Sequence, residues 1–517
     1  MNFSKHLFIQ LSFGLGLIFC SLNSCESQNK RIENSPNILF AIADDQSYPH
    51  AGVYGFSEIN TPGFDYVANS GVLFHNAFVA APQCSPSRAA ILTGKNIWEL
   101  EEAGTHGSAF PNKFKVFTEE LENNGYFVGF TGKPWGPGNW QISGRKQNPV
   151  GTAYNKHVLS QSPTKGIRPN NYIENFKDFF SKKEKGAPFM FWFGAHEPHR
   201  VYEYGTGVEA GKDIDAVRVP AFLPDTEIVR NDVLDYLLEI EHFDSHLFQM
   251  ISFLKEKGEL DNTFIVVTAD NGMPFPYAKA NLQEFGTHVP LAISMPNNII
   301  SKKQVDEPVG LIDIAPTILE LVNLSGSIAT TGKSLMPILT QEDHPKHREF
   351  VLTGRERHTH ARPDNLGYPA RAIRTEDFLY VYNFDPDRWP VGDPVPKNPE
   401  NDKRNSVSGF KGLYPGYQDV DPSPSKTIVM ELENFQDNKS LFNLAFAKRP
   451  QSQLYDIKSD PYCMIDLSND VKFKSIKNKL HNQLIEALKA QGDPRAYGNP
   501  IFDSYPRYSS MRNFPGF

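Results

Sequence analysis

Asn37-Ile38-Leu39-Phe40-Ala41-Ile42-Ala43 runs for seven residues without a charge and is closed by Asp44-Asp45. A run apolar on both faces reads as a strand buried on both faces, as in a parallel sheet covered by helices. Thr263-Phe264-Ile265-Val266-Val267-Thr268 repeats the pattern and is followed by Asp270-Asn271-Gly272. Ahead of it, Asp232 to Leu254 carries Leu234, Leu237, Leu238, Leu247, Ile251 and Leu254 at spacings of three, four or their sums, which predicts a long amphipathic helix. Val289 to Met295 is a further strand candidate, with Pro290 near its start. Such alternation predicts an α/β sandwich with a mostly parallel central sheet. Carboxylates just beyond two of its strands lie where open α/β sheets bind their ligands.

The rest of the chain bounds this reading. It has 517 residues, 39% hydrophobic and 12% aromatic, enough for a large packed core. Lys+Arg 52 against Asp+Glu 60 gives a net charge of −8, which excludes the basic footprint of a nucleic-acid binder. An anionic substrate remains compatible, because a local basic pocket can sit in an acidic protein. Lys5 precedes an apolar stretch from Leu7 to Phe19, and no further Asp, Glu, Lys or Arg occurs before Glu26. Residues 1–24 therefore read as an export signal, with an apolar part too short for a convincing membrane span. Leu22-Asn23-Ser24-Cys25 resembles a bacterial lipoprotein cleavage site, so Cys25 is expected as a lipidated N-terminus and the protein in the periplasm or cell envelope. The alternative is an ordinary cleaved signal. Beyond Cys20 and Cys25 only Cys84 and Cys463 remain, too few for a disulfide framework. Residues 35–349 are assigned to a catalytic domain and 350–517 to a smaller C-terminal α+β subdomain. Within the latter, 385–425 is dense in Pro, Gly, Asp and Asn and reads as surface loops, and 472–488 as the last helix.

Cys84-Ser85-Pro86-Ser87-Arg88-Ala89-Ala90-Ile91-Leu92-Thr93-Gly94 carries the chemistry. Pro86 suits the first turn of a helix, which places Cys84 at a helix N-terminus, where free N–H groups favour anions. Arg88, four residues on, shares its face. The Cys-x-Pro-x-Arg spelling resembles the maturation motif of type I sulfatases, with the Leu-Thr-Gly run after it. Cys-dependent phosphatases instead use Cys-x5-Arg, and neither Gly132-Lys133-Pro134 nor Thr93-Gly94-Lys95 has P-loop spacing.

The resemblance extends from Asn37 to about Asp460 and is strongest toward heparan N-sulfatases (sulfamidases) and related bacterial polysaccharide sulfatases. It is carried by Ala195-His196-Glu197-Pro198-His199-Arg200, Asp270-Asn271-Gly272-Met273-Pro274-Phe275-Pro276, Tyr368-Pro369-Ala370-Arg371-Ala372-Ile373-Arg374 and Leu454-Tyr455-Asp456. It implies an alkaline-phosphatase-like fold and conversion of Cys84 to formylglycine by a maturase. It also implies a divalent metal, Ca²⁺ first and Mg²⁺ second, on Asp44, Asp45, Asp270, Asn271 and the modified Cys84. Arg88, Lys133 and Lys279 are then expected to hold the aldehyde and sulfate, and His196 to assist the leaving group. His199, His358, His360 and Arg371 are expected on the substrate rim, where cations would favour a uronate beside the sulfated sugar. The expected activity is release of sulfate from sulfated poly- or oligosaccharides such as ulvan or glycosaminoglycan fragments. N-sulfoglucosamine hydrolysis is the alternative, and a non-catalytic glycan-binding relative a third. One departure stands out. Many sulfatases carry Gly-Lys-x-His, whereas Lys133 is followed here by Pro134-Trp135.

Overall fold

In the computed structural model, residues 35–394, 416–434 and 439–508 are described. The signal segment, Cys25 and residues 395–415 of the Pro/Gly-dense stretch lie outside them. Strand β1 (Asn37–Ala43) is buried along all seven residues and is the hub of a nine-stranded sheet. The others are β2 (Val72–Phe78), β3 (Phe127–Gly132), β4 (Thr152–Ala153), β5 (Phe189–Gly194), β6 (Thr263–Ala269), β7 (His288–Ser294), β8 (Lys303–Val305) and β9 (Val309–Gly310). Their order is β4-β3-β5-β1-β6-β7-β2-β8, with β9 also on β2. β3, β5, β1 and β6 are mutually parallel neighbours, so their carboxyl ends emerge side by side on one edge.

β7 is the exception, antiparallel to both β6 and β2. Its Pro290 brings no N–H to the ladder, and β2 shifts register between Phe74 and Ala77 where it would be needed. Because β7 reverses twice between neighbours, β2 points the same way as β6, and the chain leaving β2 arrives at the same edge.

Helix α1 (Pro62–Ser70) precedes β2 and helix α2 (Cys84–Thr93) follows it, and α3 (Glu227–Glu256) packs on α1 and β1. The apolar spacing located α3 but undersized it: thirty residues form the helix, with the Thr226 side chain accepting from Val229 N–H at its start. Its inward face also holds Asp232, Asp235 and Asp244, each almost fully buried. Asp244 accepts from the Gly63 and Phe64 amides, both at 2.7 Å, and so closes the open amino end of α1.

A second, antiparallel sheet begins at residue 350: β10 (Phe350–Arg355), β11 (Ala370–Thr375), β12 (Phe378–Asn383) and β13 (Ser452–Asp456), in that order. Helix α4 (Pro424–Glu431) precedes β13, and α5 (Lys474–Ala490) lays Leu480, Leu484 and Leu488 onto the second sheet. One expectation fails here. Residues 416–420 and 422–427 are buried rather than surface loop, because Asp419 is 1% exposed and ion-paired to Arg362 at 2.7 Å and Arg355 at 3.4 Å. A segment rich in turn formers becomes interior once its polar groups find fixed partners. Among the described residues no helix is long and apolar enough to cross a membrane.

Candidate active site

Four neighbouring strands deliver the chemistry in register. Lys133 follows β3, His196 follows β5 after one residue, Asp44-Asp45 follow β1, and Asp270-Asn271 follow β6. The Asp270 amide donates to Ala43 O at 3.1 Å, and the Asp45 amide to Asp270 Oδ1 at 3.1 Å, so the two acidic turns are stitched together. Asp45 itself sits at φ 76°, a left-handed conformation that Asp adopts more readily than bulky residues and that turns the chain sharply off the strand.

Cys84 is the first residue of α2, preceded by the extended Gln83. Its thiol is 1% exposed, 3.6 Å from Asp44 Oδ1 and 4.0 Å from Asp45 Oδ1. Burial pushes this thiol far above its ordinary pKa; Lys133 pulls it down, but not enough, while Asp44 adds to the rise. As a plain thiol it is a poor nucleophile. Arg88, fully buried one turn on, donates through Nε to Asp270 at 2.7 Å and through Nη1 to the carbonyls of Lys133 and Pro134 at 2.9 and 3.2 Å. That pair of carbonyl contacts is made by the Lys133-Pro134-Trp135 segment that departs from Gly-Lys-x-His, and Trp135 Nε1 donates to Ser85 O at 3.1 Å. The departure is therefore a packed wall against α2.

Charges alternate across the floor. Lys133 Nζ lies 2.6 Å from both Asp44 oxygens, and Lys279 Nζ lies 2.6 Å from Asp45 Oδ2. Burial alone would raise the Asp44 carboxyl, but Lys133, His199, Arg88 and Lys279 outweigh it and hold the group well below the usual carboxylate range. The Asn271 amide donates to Asp45 Oδ1 at 2.7 Å, while its own Oδ1 is buried with no hydrogen-bond partner among the described residues. Asp44 and Asp45 lie close enough to Cys84 to share an ion, and with Asp270 and the orphaned Asn271 amide oxygen beside them the donors are mainly oxygen, which fits a hard divalent cation.

The histidines divide. His199 is partly exposed, with Nε2 3.8 Å from Asp45 Oδ2. His196 is lowered to about 3, chiefly by burial, so its ring is neutral near pH 7. Its backbone amide donates to the Tyr172 hydroxyl at 3.1 Å, which in turn donates to Glu197 at 2.6 Å, fixing the His-Glu-Pro-His turn. His358 is buried, 3.6 Å from Asp419, and also lowered to about 3 by burial, with Asp419 opposing. His360 is half-buried on the same segment.

Arg371 does not belong to the rim. It is fully buried, with Nε 2.7 Å from Asp493 and Nη2 2.9 Å from Glu356, and those acids also engage Arg495. A guanidinium enclosed by two carboxylates has no face left for a substrate, so Arg371 cannot supply the rim cation expected to favour a uronate. The motif misled because a buried structural arginine and a ligand-binding one are spelled alike.

Two neighbours escaped the sequence reading. His106 is 1% exposed, its Nδ1 2.9 Å from His358 O, and the adjoining Gly107 amide donates to Ser85 Oγ at 3.2 Å, against the nucleophile's own turn. Asp421 lies 3.2 Å from Lys279 Nζ. Neither sits in a recognisable spacing; Asp421 was hidden in the stretch read as loop. Cys463 is buried and free, as is Cys84.

Residues 36–324 match the family described as Sulfatase, and residues 276–406 match N-sulphoglucosamine sulphohydrolase, C-terminal. The chain is 27% identical over 509 residues to human N-sulphoglucosamine sulphohydrolase, covering 89% of this chain and 91% of that protein. It is 26% identical over 482 residues to an ulvan-active sulfatase of Formosa agariphila, covering 91% and 83%. Its fold resembles the solved structure of BT4656 in complex with its substrate D-glucosamine-2-N,6-O-disulfate, with a TM-score of 0.61 at 19% identity over 89% of this chain and 98% of that one. With the first family match spanning more than half the chain, over the strands that carry the acids, the lysine and the cysteine turn, this protein belongs to the sulfatase family of sulfuric ester hydrolases.

Proposed function

We propose that the enzyme removes sulfate from sulfated sugars of glycans, outside the cytoplasm, using Cys84 matured to formylglycine. The convergence of Cys84 with Asp44, Asp45, Asp270, Asn271, Arg88, Lys133 and Lys279 at one sheet edge carries this reading. The buried thiol supports the need for modification, since a group held protonated cannot attack sulfur. Formylglycine would supply a hydrated aldehyde, one hydroxyl to attack and a second to expel sulfate afterwards. A divalent cation on Asp44, Asp45, Asp270 and Asn271, Ca²⁺ by its all-oxygen donors, would offset charge on the sulfate. Lys133 and Lys279 orient the remaining sulfate oxygens. Arg88 holds Asp270 and the Lys133 turn in place. His196, neutral and fixed by its turn, offers a ring N–H as a hydrogen bond to the departing oxygen or nitrogen rather than a full proton.

Sulfated glycans are favoured as substrates because the relatives matched over most of this chain are named for an aminosugar sulfate and for ulvan. The match of residues 276–406 favours a second reading, cleavage of the N–S bond of N-sulfoglucosamine. The apolar leader and Leu22-Asn23-Ser24-Cys25 support export with a lipid anchor on Cys25.

The test is sulfate release by protein co-expressed with a maturase. N-sulfoglucosamine and O-sulfated oligosaccharides are offered separately, and the Cys84 peptide is weighed. Aldehyde at Cys84 together with sulfate release from O-sulfated sugars, both abolished in Cys84→Ala, is the expected result. Release from N-sulfoglucosamine alone selects the second reading. Full activity with an unmodified thiol overturns the mechanism.

A further inference from the structure

Asp421 lies beside Lys279 and is somewhat more exposed than it. Asp45 is fully buried and Lys279 is 4% exposed by side chain, but Asp421 is 13% and His199 30% exposed. Exposure therefore rises from Asp45 through Lys279 to Asp421, which is half-buried. Lys279 Nζ holds both carboxylates, at 2.6 and 3.2 Å. Asp45, His199 and Asp421 lie close enough together to suggest a second cation site. The lysine ammonium already supplies the positive charge between the two acids, so Asp421 is read as a charge beside that lysine rather than as a metal ligand.

Its position is fixed by its neighbours in sequence. Two residues earlier, Asp419 is locked to Arg362, Arg355 and Thr359. Two residues later, Ser423 accepts from the Lys426 amide at the start of α4, and Lys426 Nζ donates to the carbonyls of Gly416, Tyr417 and Val420. Ser425 then bonds Asp232, which is paired with Arg200 of the His-Glu-Pro-His-Arg turn. With the backbone on both sides pinned and the carboxylate paired to Lys279, Asp421 has little freedom to move away from an arriving anion.

We infer that Asp421 is a specificity-determining residue: it accepts from a hydroxyl or ammonium on the sulfated sugar and rejects a second anionic substituent on the Lys279 side. This inference rests on the sulfated-sugar reading above. It also runs against the sequence-based expectation of a uronate, because Asp421 sets a carboxylate beside Lys279.

The experiment measures kcat/KM on matched pairs that differ in one substituent. These are glucosamine 6-O-sulfate against D-glucosamine-2-N,6-O-disulfate, and N-sulfoglucosamine against the same disulfate. The wild-type enzyme is expected to favour the monosulfated member at least tenfold. Asp421→Asn and Asp421→Ala should shrink that preference about tenfold, with the absolute rate on the disulfate rising. Thermal denaturation of both variants identifies which is folded, and the ratio is read on that one. A preference unchanged in the variants overturns the inference. So does an equal fall on both substrates, which would mean that Asp421 only orients Lys279. Sulfate released by the wild type from neither pair overturns this inference for aminosugar sulfates, and release from none of the O-sulfated oligosaccharides either overturns the glycan reading itself, an outcome distinct from a ratio that fails to move.

Discussion

At the scale of single residues, Arg88 shows how much of a site depends on one planar group. Its guanidinium reaches a carboxylate and two carbonyls from complete burial. A lysine has one point charge and no fork, so Arg88→Lys keeps the charge while dropping the carbonyl contacts. We expect kcat/KM to fall at least about 100-fold, with a stability loss of about 2 kcal/mol from the carbonyls left unpaired. Steady-state sulfate release and urea unfolding check both; a variant with near-normal kcat would show that the Lys133 turn holds itself. The acidic pairs were visible because each closes a run whose apolar pattern declares a strand, and Arg88 and Lys133 through the resemblance of their segments to sulfatase motifs. The sequence left His106 and Asp421 invisible because they reach the site through tertiary contacts, and spacing along the chain carries no trace of those.

Among the elements, the union of α1 and α3 is pH-sensitive. Burial, with Asp65 and Glu241 adding, pushes the Asp244 carboxyl up to about 7 against the pull of the Gly63 and Phe64 amides. A raised carboxyl binds its proton more tightly folded than unfolded. From about pH 4 to 7 the native state therefore keeps a proton that the unfolded chain has lost, and stability falls as pH rises. The slope is about 1.4 kcal/mol per pH unit inside that window, and none is expected below it. Asp244→Asn removes this component, so its stability should decline less steeply than wild type between pH 4.5 and 7 in urea titrations. Parallel curves for the two proteins would count against the assignment. The helix itself was readable from its leucines; its buried carboxylates were not, because a polar residue at a core position looks like a break in the pattern until its partner is known. Pro290 is the converse: a residue that argues against a strand is accommodated by the irregularity in β2 facing it.

For the whole molecule, the buried Arg371, Glu356, Asp493 and Arg495, with the half-buried Asp503, form an ionic seam joining the second sheet to the chain after α5. Removing one member strands a charge in the interior, at a cost of about 3 kcal/mol or more. Asp493→Asn should lower the melting temperature markedly while leaving KM within about twofold in the folded fraction, since KM does not depend on Arg371 if it never meets substrate. A large KM change without destabilisation would return Arg371 to the rim. The architecture as a whole was legible from β1, β6 and α3, whose patterns are local. The order of strands was not, because β1 pairs with β5 and β6, which lie more than 140 and 210 residues downstream.

That long-range pairing imposes a schedule. β1 cannot be completed until β6 has been made, and Cys84, buried beneath both acidic turns in the finished fold, stays uncovered until then. At ordinary rates of synthesis the interval between the two is about 10–40 s. Any catalyst that is to modify this cysteine has that interval in which to find it. A chain that closes its sheet early would seal an unmodified thiol inside, well folded and inert.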